Sequence, residues 1–181
     1  MIFCETKLPG AYVIDPEPRA DERGFLARTF CVDEFAQAGL NTQWVQCSMV
    51  LNHTAGTLRG MHYQAEPYGE IKLIRCTAGA VYDVALDLRQ DSPAYRQWVA
   101  VELSAANRRA IYIPEGVAHG MQTLTDGAEL LYMMSAMYHV GSARGVRWDD
   151  PAFAIAWPEP PRNGQARIIH AKDATWELLP I

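Results

Sequence analysis

The sequence predicts an all-β fold, a sandwich or barrel with short peripheral helices. Three observations point there. From Trp44 onward, eight short segments rich in Val, Ile, Leu and Tyr follow one another: 44–51, 57–64, 71–78, 80–88, 97–104, 109–114, 119–125 and 129–138. Turn signals such as Pro67-Tyr68-Gly69, Pro114-Glu115-Gly116 and Thr125-Asp126-Gly127 separate them. The best helical pattern covers only Val32–Gly39. Regular short strands suit a sandwich or barrel, and closure would remove exposed edges.

The elements follow in order. Residues 7–18 read as extended and end in Pro-Glu-Pro, which excludes helix. Asp21-Glu22-Arg23-Gly24 is a charged turn, and Phe25–Cys31 reads as a strand. In Val32–Gly39, Asp33 can cap, Phe35, Ala36 and Leu40 recur at helical spacing, and Gly39 can end the helix. The eight strand segments come next. From Asp149 the chain is Pro-rich, and 167–181 reads as a final strand or turn packed back on the body.

The 181 residues fit a single domain, 1–181, with a sizeable core. A hydrophobic content of 49% and a charged content of 20% are ordinary globular values. A net charge of -5 argues against a nucleic-acid partner, which needs a broad basic surface. It leaves room for an anionic small ligand held by Arg23, Arg59, Lys72 or Arg75. Cys4, Cys31, Cys47 and Cys76 lack CxxC spacing and read as free thiols in a reducing compartment. The N-terminus does not read as a signal peptide, and no apolar run is long enough to span a membrane. The expected location is the cytoplasm.

Gly56–Gln64 (GTLRGMHYQ) concentrates the chemistry. Arg59 can hold a phosphate, and His62 can move a proton near neutral pH. In an ideal strand the two face opposite ways. They serve opposite faces, or the strand bulges at Gly60 and turns both to one ligand. His62 has no HxH partner, since Gln64 fills that place, and His53, His119, His139 and His170 are scattered. No metal site is expected. Lys72 is an edge charge or, if inward, needs an anionic partner. Tyr132, Met134, Ala136 and Tyr138 share one strand face. That face is a core stripe, or it supplies a proton donor at Tyr132 and an aromatic platform at Tyr138. His119 lies on a loop entering a strand. Asp83, Ala85 and Asp87 share a face that is solvent or a polar cavity, where a carboxylate could orient a histidine.

These stretches resemble the dTDP-4-dehydrorhamnose 3,5-epimerase family. The matching residues are Asp21–Phe25 (DERGF), Gly56–Gln64, Lys72–Cys76 (KLIRC), Val81–Arg89, Ile113–Gly120 (IPEGVAHG), Leu130–Tyr132 with Tyr138, and Trp148–Pro151 (WDDP). The resemblance implies a cupin jelly-roll barrel. It implies epimerisation at C3 and/or C5 of a nucleotide-diphospho-4-keto-6-deoxyhexose, with no cofactor and no metal. His62 would be the general base with Asp173 as its acidic partner, Tyr132 the proton donor, and Lys72 the cation at the enolate oxygen. Arg23, Gln46, Arg59, His119, Tyr138 and Asp83 would be substrate contacts. The resemblance also implies a homodimer whose N-terminal segment, here Asp21–Gly24, reaches the neighbouring site. Arg28, Cys47-Ser48, Met133 and one extra residue between Gln46 and Arg59 depart from the family pattern. They bear on the choice of nucleotide and sugar and on whether C3 alone or both carbons invert. A 3,4-ketoisomerase, a metal-cupin oxygenase and a non-catalytic sugar-binding cupin are the alternatives.

Overall fold

The computed structural model describes residues 1–161 and 164–179. In chain order the described strands and helices are β1 (Ile2–Glu5), β2 (Tyr12–Asp15), β3 (Arg19–Asp21), β4 (Gly24–Leu26), α1 (Val32–Gln37), β5 (Gln46–Asn52), β6 (Thr57–Gln64), β7 (Lys72–Ala78), β8 (Ala80–Asp87), β9 (Trp98–Ser104), β10 (Ala110–Ile113), β11 (Val117–Thr123), β12 (Ala128–Met134), β13 (Ala143–Gly145), β14 (Ile168–Ile169) and α2 (Ala171–Ala174). Two sheets carry the fold, ordered β1-β2-β10-β7-β12-β5 and β13-β6-β11-β8-β9. Every pairing within these two orders is antiparallel; β14 adds to β6 in parallel. This is a cupin-type jelly roll.

The alternation in the sequence sets what fills it. Ile74, Cys76, Val81, Ala85, Ile111, Val117, Met121 and Leu130 meet between the sheets, with Tyr132 packed against them. On the outer face of the first sheet, Phe35 of α1 is fully buried against Ile14, Leu73 and Tyr112. On the outer face of the second, Met61, Val84, Leu86 and Ala118 are covered by Phe153 and Trp157. Each fully buried Leu, Ile or Phe contributes about 1.5–3 kcal/mol.

Several elements differ from expectation for local reasons. The strand expected over 25–31 ends at Leu26, whose partner is Arg19; Pro18, next along, has no N–H to extend the ladder. The N-cap of α1 is Cys31, with no side-chain cap, so Asp33 falls in the first turn instead, where a carboxylate still complements the helix terminus. The strand expected to reach Tyr138 stops at Met134. That residue pairs with Lys72 and Gln46, the first residues of β7 and β5, so both neighbours run out together. His119 lies inside β11 rather than on a loop. The tail supplies both a strand and a turn of helix, β14 and α2; its last two residues lie outside the described residues.

Candidate active site

The site begins with an irregularity in β6. It pairs with β11 as His119↔His62 and Met121↔Arg59, so Gly60 and Met61 together oppose Gly120. This bulge reverses the strand's parity. Arg59 and His62 line one cavity, while Met61 turns outward into the cluster of Val84 and Phe153. Gly60 has φ +124, and a Cβ there would lie 2.5 Å from the Gly120 Cα. Both the backbone angle and the close approach require glycine.

The bulge also prepares a docking point. β13 covers His62–Gln64 on the outer edge of β6, and β14 covers Thr57–Leu58. Between them the Gly60 N–H donates to Asp173 Oδ2 at 3.2 Å. The other oxygen of that carboxylate, Oδ1, lies 2.7 Å from His62 Nε2. Asp173 comes from α2, directly after β14 has anchored the tail. Burial pushes its carboxyl up, but the His62 hydrogen bond and charge and the Gly60 N–H outweigh burial and hold it below the ordinary carboxylate value. It stays anionic beside the imidazole. The His62 side chain is 42% exposed and that of Asp173 6%, so the imidazole is reachable and its partner is not. With the Nε2 proton shared with Asp173, Nδ1 holds the lone pair that can accept another.

The cavity has a volume of about 410 Å³ and opens to solvent. Arg59, Lys72, Arg144 and Lys172 line it, against the carboxylates Glu70 and Asp173. This cationic excess suits an anionic ligand. Lys72 is inward-facing and buried, and its anionic partner is Glu70, with Nζ to Oε1 at 2.8 Å. Arg59 Nε donates to Asn52 Oδ1 at 2.8 Å, which aims the guanidinium from one side and leaves its other nitrogens for a ligand.

A second histidine pair sits deeper. His119 Nε2 lies 2.9 Å from Asp83 Oδ2, with side-chain exposures of 7% and 0%. Burial raises the Asp83 carboxyl above its ordinary value, and His119 only partly offsets this. The His119 ring meets Tyr132 edge-on at 5.7 Å. Burial, reinforced by the charge of Asp83, pushes the Tyr132 phenol well up, so it stays protonated.

His62, Tyr132, Lys72, Asp173, Arg59, His119 and Tyr138 thus line one cavity. Three expected substrate contacts are placed elsewhere. Asp83 is fully buried behind His119, away from the wall. Gln46 spends its carbonyl on the Tyr138 N–H at 2.7 Å. Arg23 projects from the β3–β4 hairpin, 83% exposed and bonded to Asp21. Arg75, one of the expected cations, donates to the Thr29 carbonyl outside this cavity. The sequence reading missed Glu70, Asn52, Arg144 and Lys172. Glu70 carried a signal, since it is an acid two residues before an inward lysine. The other three carried none. Among the described residues no three His, Cys, Asp or Glu side chains gather as a metal-ligand group.

The arrangement defines a jelly-roll protein with a proton-transfer site for an anionic ligand. Comparison with known proteins narrows the class. The dTDP-4-dehydrorhamnose 3,5-epimerase family model matches residues 5–180, and the chain belongs to that family. A dTDP-4-dehydrorhamnose 3,5-epimerase of Shigella flexneri is 43% identical over 162 residues, covering 87% of each chain. The crystal structure of the Bacillus anthracis enzyme with TDP and PPi bound superposes with a TM-score of 0.92 at 35% identity, covering 98% of this chain and 99% of that one. The Legionella pneumophila enzyme in complex with dTDP-4-keto-L-rhamnose gives 0.89 at 35% identity, covering 98% and 92%.

Proposed function

We propose that this chain epimerises a nucleotide-diphospho-4-keto-6-deoxyhexose at C3, C5 or both. The observation that carries the reading is the His62–Asp173 pair sharing one cavity with Tyr132 and Lys72. A C–H beside the C4 ketone is acidified because its electron pair can delocalise into the carbonyl. His62 takes that proton and becomes imidazolium, stabilised by anionic Asp173. The bonding pair moves to form the enolate, whose C4 oxygen Lys72 stabilises. Tyr132 donates its O–H proton to the other face of the carbon, restoring the ketone with inverted configuration. Solvent then reprotonates the phenolate and accepts the imidazolium proton. The cationic wall of Arg59, Arg144 and Lys172 would hold the diphosphate, and Tyr138 would stack on the base.

The assembly proposed is a homodimer of single-domain chains. The β3–β4 hairpin pairs only with itself among the described residues and exposes Phe25 and Leu26, and Val45, Met49 and Leu51 on or beside edge strand β5 are also exposed. A hairpin so placed could carry Arg23 into a neighbour's cavity. Light scattering should read twice the chain mass, and a monomer at micromolar concentration would exclude that role for Arg23. The proposed location is cytoplasmic. Four free cysteines support a reducing compartment, and among the described residues no helix is long and apolar enough to cross a membrane.

The test is proton NMR of dTDP-4-keto-6-deoxyglucose with the enzyme in heavy water. Deuterium should enter C3, C5 or both, and the pattern distinguishes the products. No exchange at either carbon would overturn the proposal, and migration of the carbonyl to C3 would replace it with a ketoisomerase.

A further inference from the structure

The main chain around Tyr138 is held by two glutamine side chains rather than by a sheet. Gln64 is 3% exposed, and each polar atom of its side chain is engaged. Its Nε2 donates to the Tyr68 carbonyl at 3.0 Å and the Met137 carbonyl at 3.3 Å, and its Oε1 accepts the His139 N–H at 2.6 Å. Gln46 Oε1 accepts the Tyr138 N–H at 2.7 Å. Three successive residues, 137, 138 and 139, are therefore gripped by side chains from the start of β5 and the end of β6. They lie beyond Met134, where β12 has lost both neighbours. The adjoining loop is tied in as well: the His139 ring stacks on Tyr68 with centroids 3.7 Å apart and planes 9° apart, and His139 Nδ1 meets Ser142 Oγ at 3.0 Å.

The side chain that this grip presents is free. Tyr138 is 59% exposed and lines the cavity. A phenol on a mobile loop would have to be ordered by the ligand, which weakens binding; a fixed backbone removes most of that cost beforehand. Because Gln64 has its donors and its carbonyl on main-chain partners, it is poorly placed to bond a ligand, although it lines the wall.

We infer that Gln64 and Gln46 form a clamp that pre-positions Tyr138 as an aromatic face for the planar base of the ligand. Both are positioning residues for affinity, not for proton transfer. The identity of the ligand rests on the function proposed above; the clamp itself does not.

Two measurements test it separately. In amide hydrogen exchange by NMR, the Tyr138 and His139 amides should be protected despite their place in a loop. Gln46→Ala should release Tyr138 selectively, and Gln64→Ala should release His139. Gln64→Glu, which keeps the acceptor and loses both donors, should leave His139 protected. In titration with dTDP, each alanine variant should weaken binding about three- to tenfold, with KM for the keto sugar rising alongside and kcat staying within about threefold. The effect must run through the ring, so Gln46→Ala made in a Tyr138→Ala background should cost nothing further. Unprotected wild-type amides would overturn the clamp, as would a lower kcat at unchanged dTDP affinity or full additivity with Tyr138→Ala. Absence of epimerisation alongside intact, glutamine-dependent protection would count against the proposed reaction and support the clamp.

Discussion

The two histidine–aspartate pairs share a chemistry but not a setting. His62 and Asp173 meet at the reachable part of the cavity, with the histidine side chain 42% exposed; His119 and Asp83 meet in the interior, at 7% and 0%. Asp173 receives a hydrogen bond from Gly60 as well as from His62 and is held anionic, below its ordinary range. Asp83 has one oxygen on His119 and the other, Oδ1, without a hydrogen-bond partner, and burial drives its carboxyl up. The first pair is open to the cavity. The second holds a histidine ring still against Tyr132 at an expense in stability. Under the proposed reaction, one motif would serve catalysis or positioning according to its access to water.

The largest expected effect comes from the exposed pair. His62→Ala should lower solvent exchange at the sugar carbons by about 10³–10⁴ with a smaller loss of stability than at the buried pair, because Asp173 keeps the Gly60 N–H as a partner and the half-exposed imidazole contributes little packing. The buried pair should respond the opposite way. His119→Ala leaves Asp83 buried without its partner and should cost about 3 kcal/mol in urea unfolding. Equal stability losses in the two variants would erase the distinction. Asp173→Asn keeps the shape but removes the charge that stabilises the imidazolium, so kcat should fall about 10²-fold, a smaller loss than removing the base itself.

The smallest effect is a difference in sign with pH. Asp173 has a folded value below its ordinary 3.8, so its contribution to stability is present above that value and is lost as pH falls through the folded one. Asp83 has a folded value above 3.8; its contribution is fully present below 3.8 and is lost as pH rises through the raised value. Relative to wild type, Asp173→Asn should therefore lose stability as pH rises from acid, and Asp83→Asn should gain it. Urea titrations between about pH 3 and pH 7 would read the two slopes, and slopes of the same sign would show that the two carboxylates share one environment.

Much of this was legible along the chain. Alternating apolar runs and Gly/Pro turns marked the strands, and His62, Lys72, Tyr132 and Asp173 could be named before any geometry was known. Where strands end was less legible. β4 and β12 stop because their neighbours stop, and a partner's length is invisible in the strand's own residues. Contacts made by long side chains were hidden for a similar reason. Asn52 meets Arg59, and Arg144 and Lys172 join the cavity wall, through register and a tail that folds back some 110 residues later in the chain. Gln46 and Asp83 lie beside the cavity rather than on its wall, one on the Tyr138 N–H and the other on His119, since residue type does not say which partner a side chain will choose.

The sequence by itself determined the sheet-forming alternation, the family resemblance and the residue types able to move a proton or hold a phosphate. These follow from local properties: side-chain branching, turn chemistry, pKa and charge. The tertiary structure decided that Arg59 and His62 face one cavity, because the bulge at Gly60 is defined only against Gly120 on the neighbouring strand. It decided which histidine pair is wet and which is dry, because exposure belongs to the packed barrel and not to either residue.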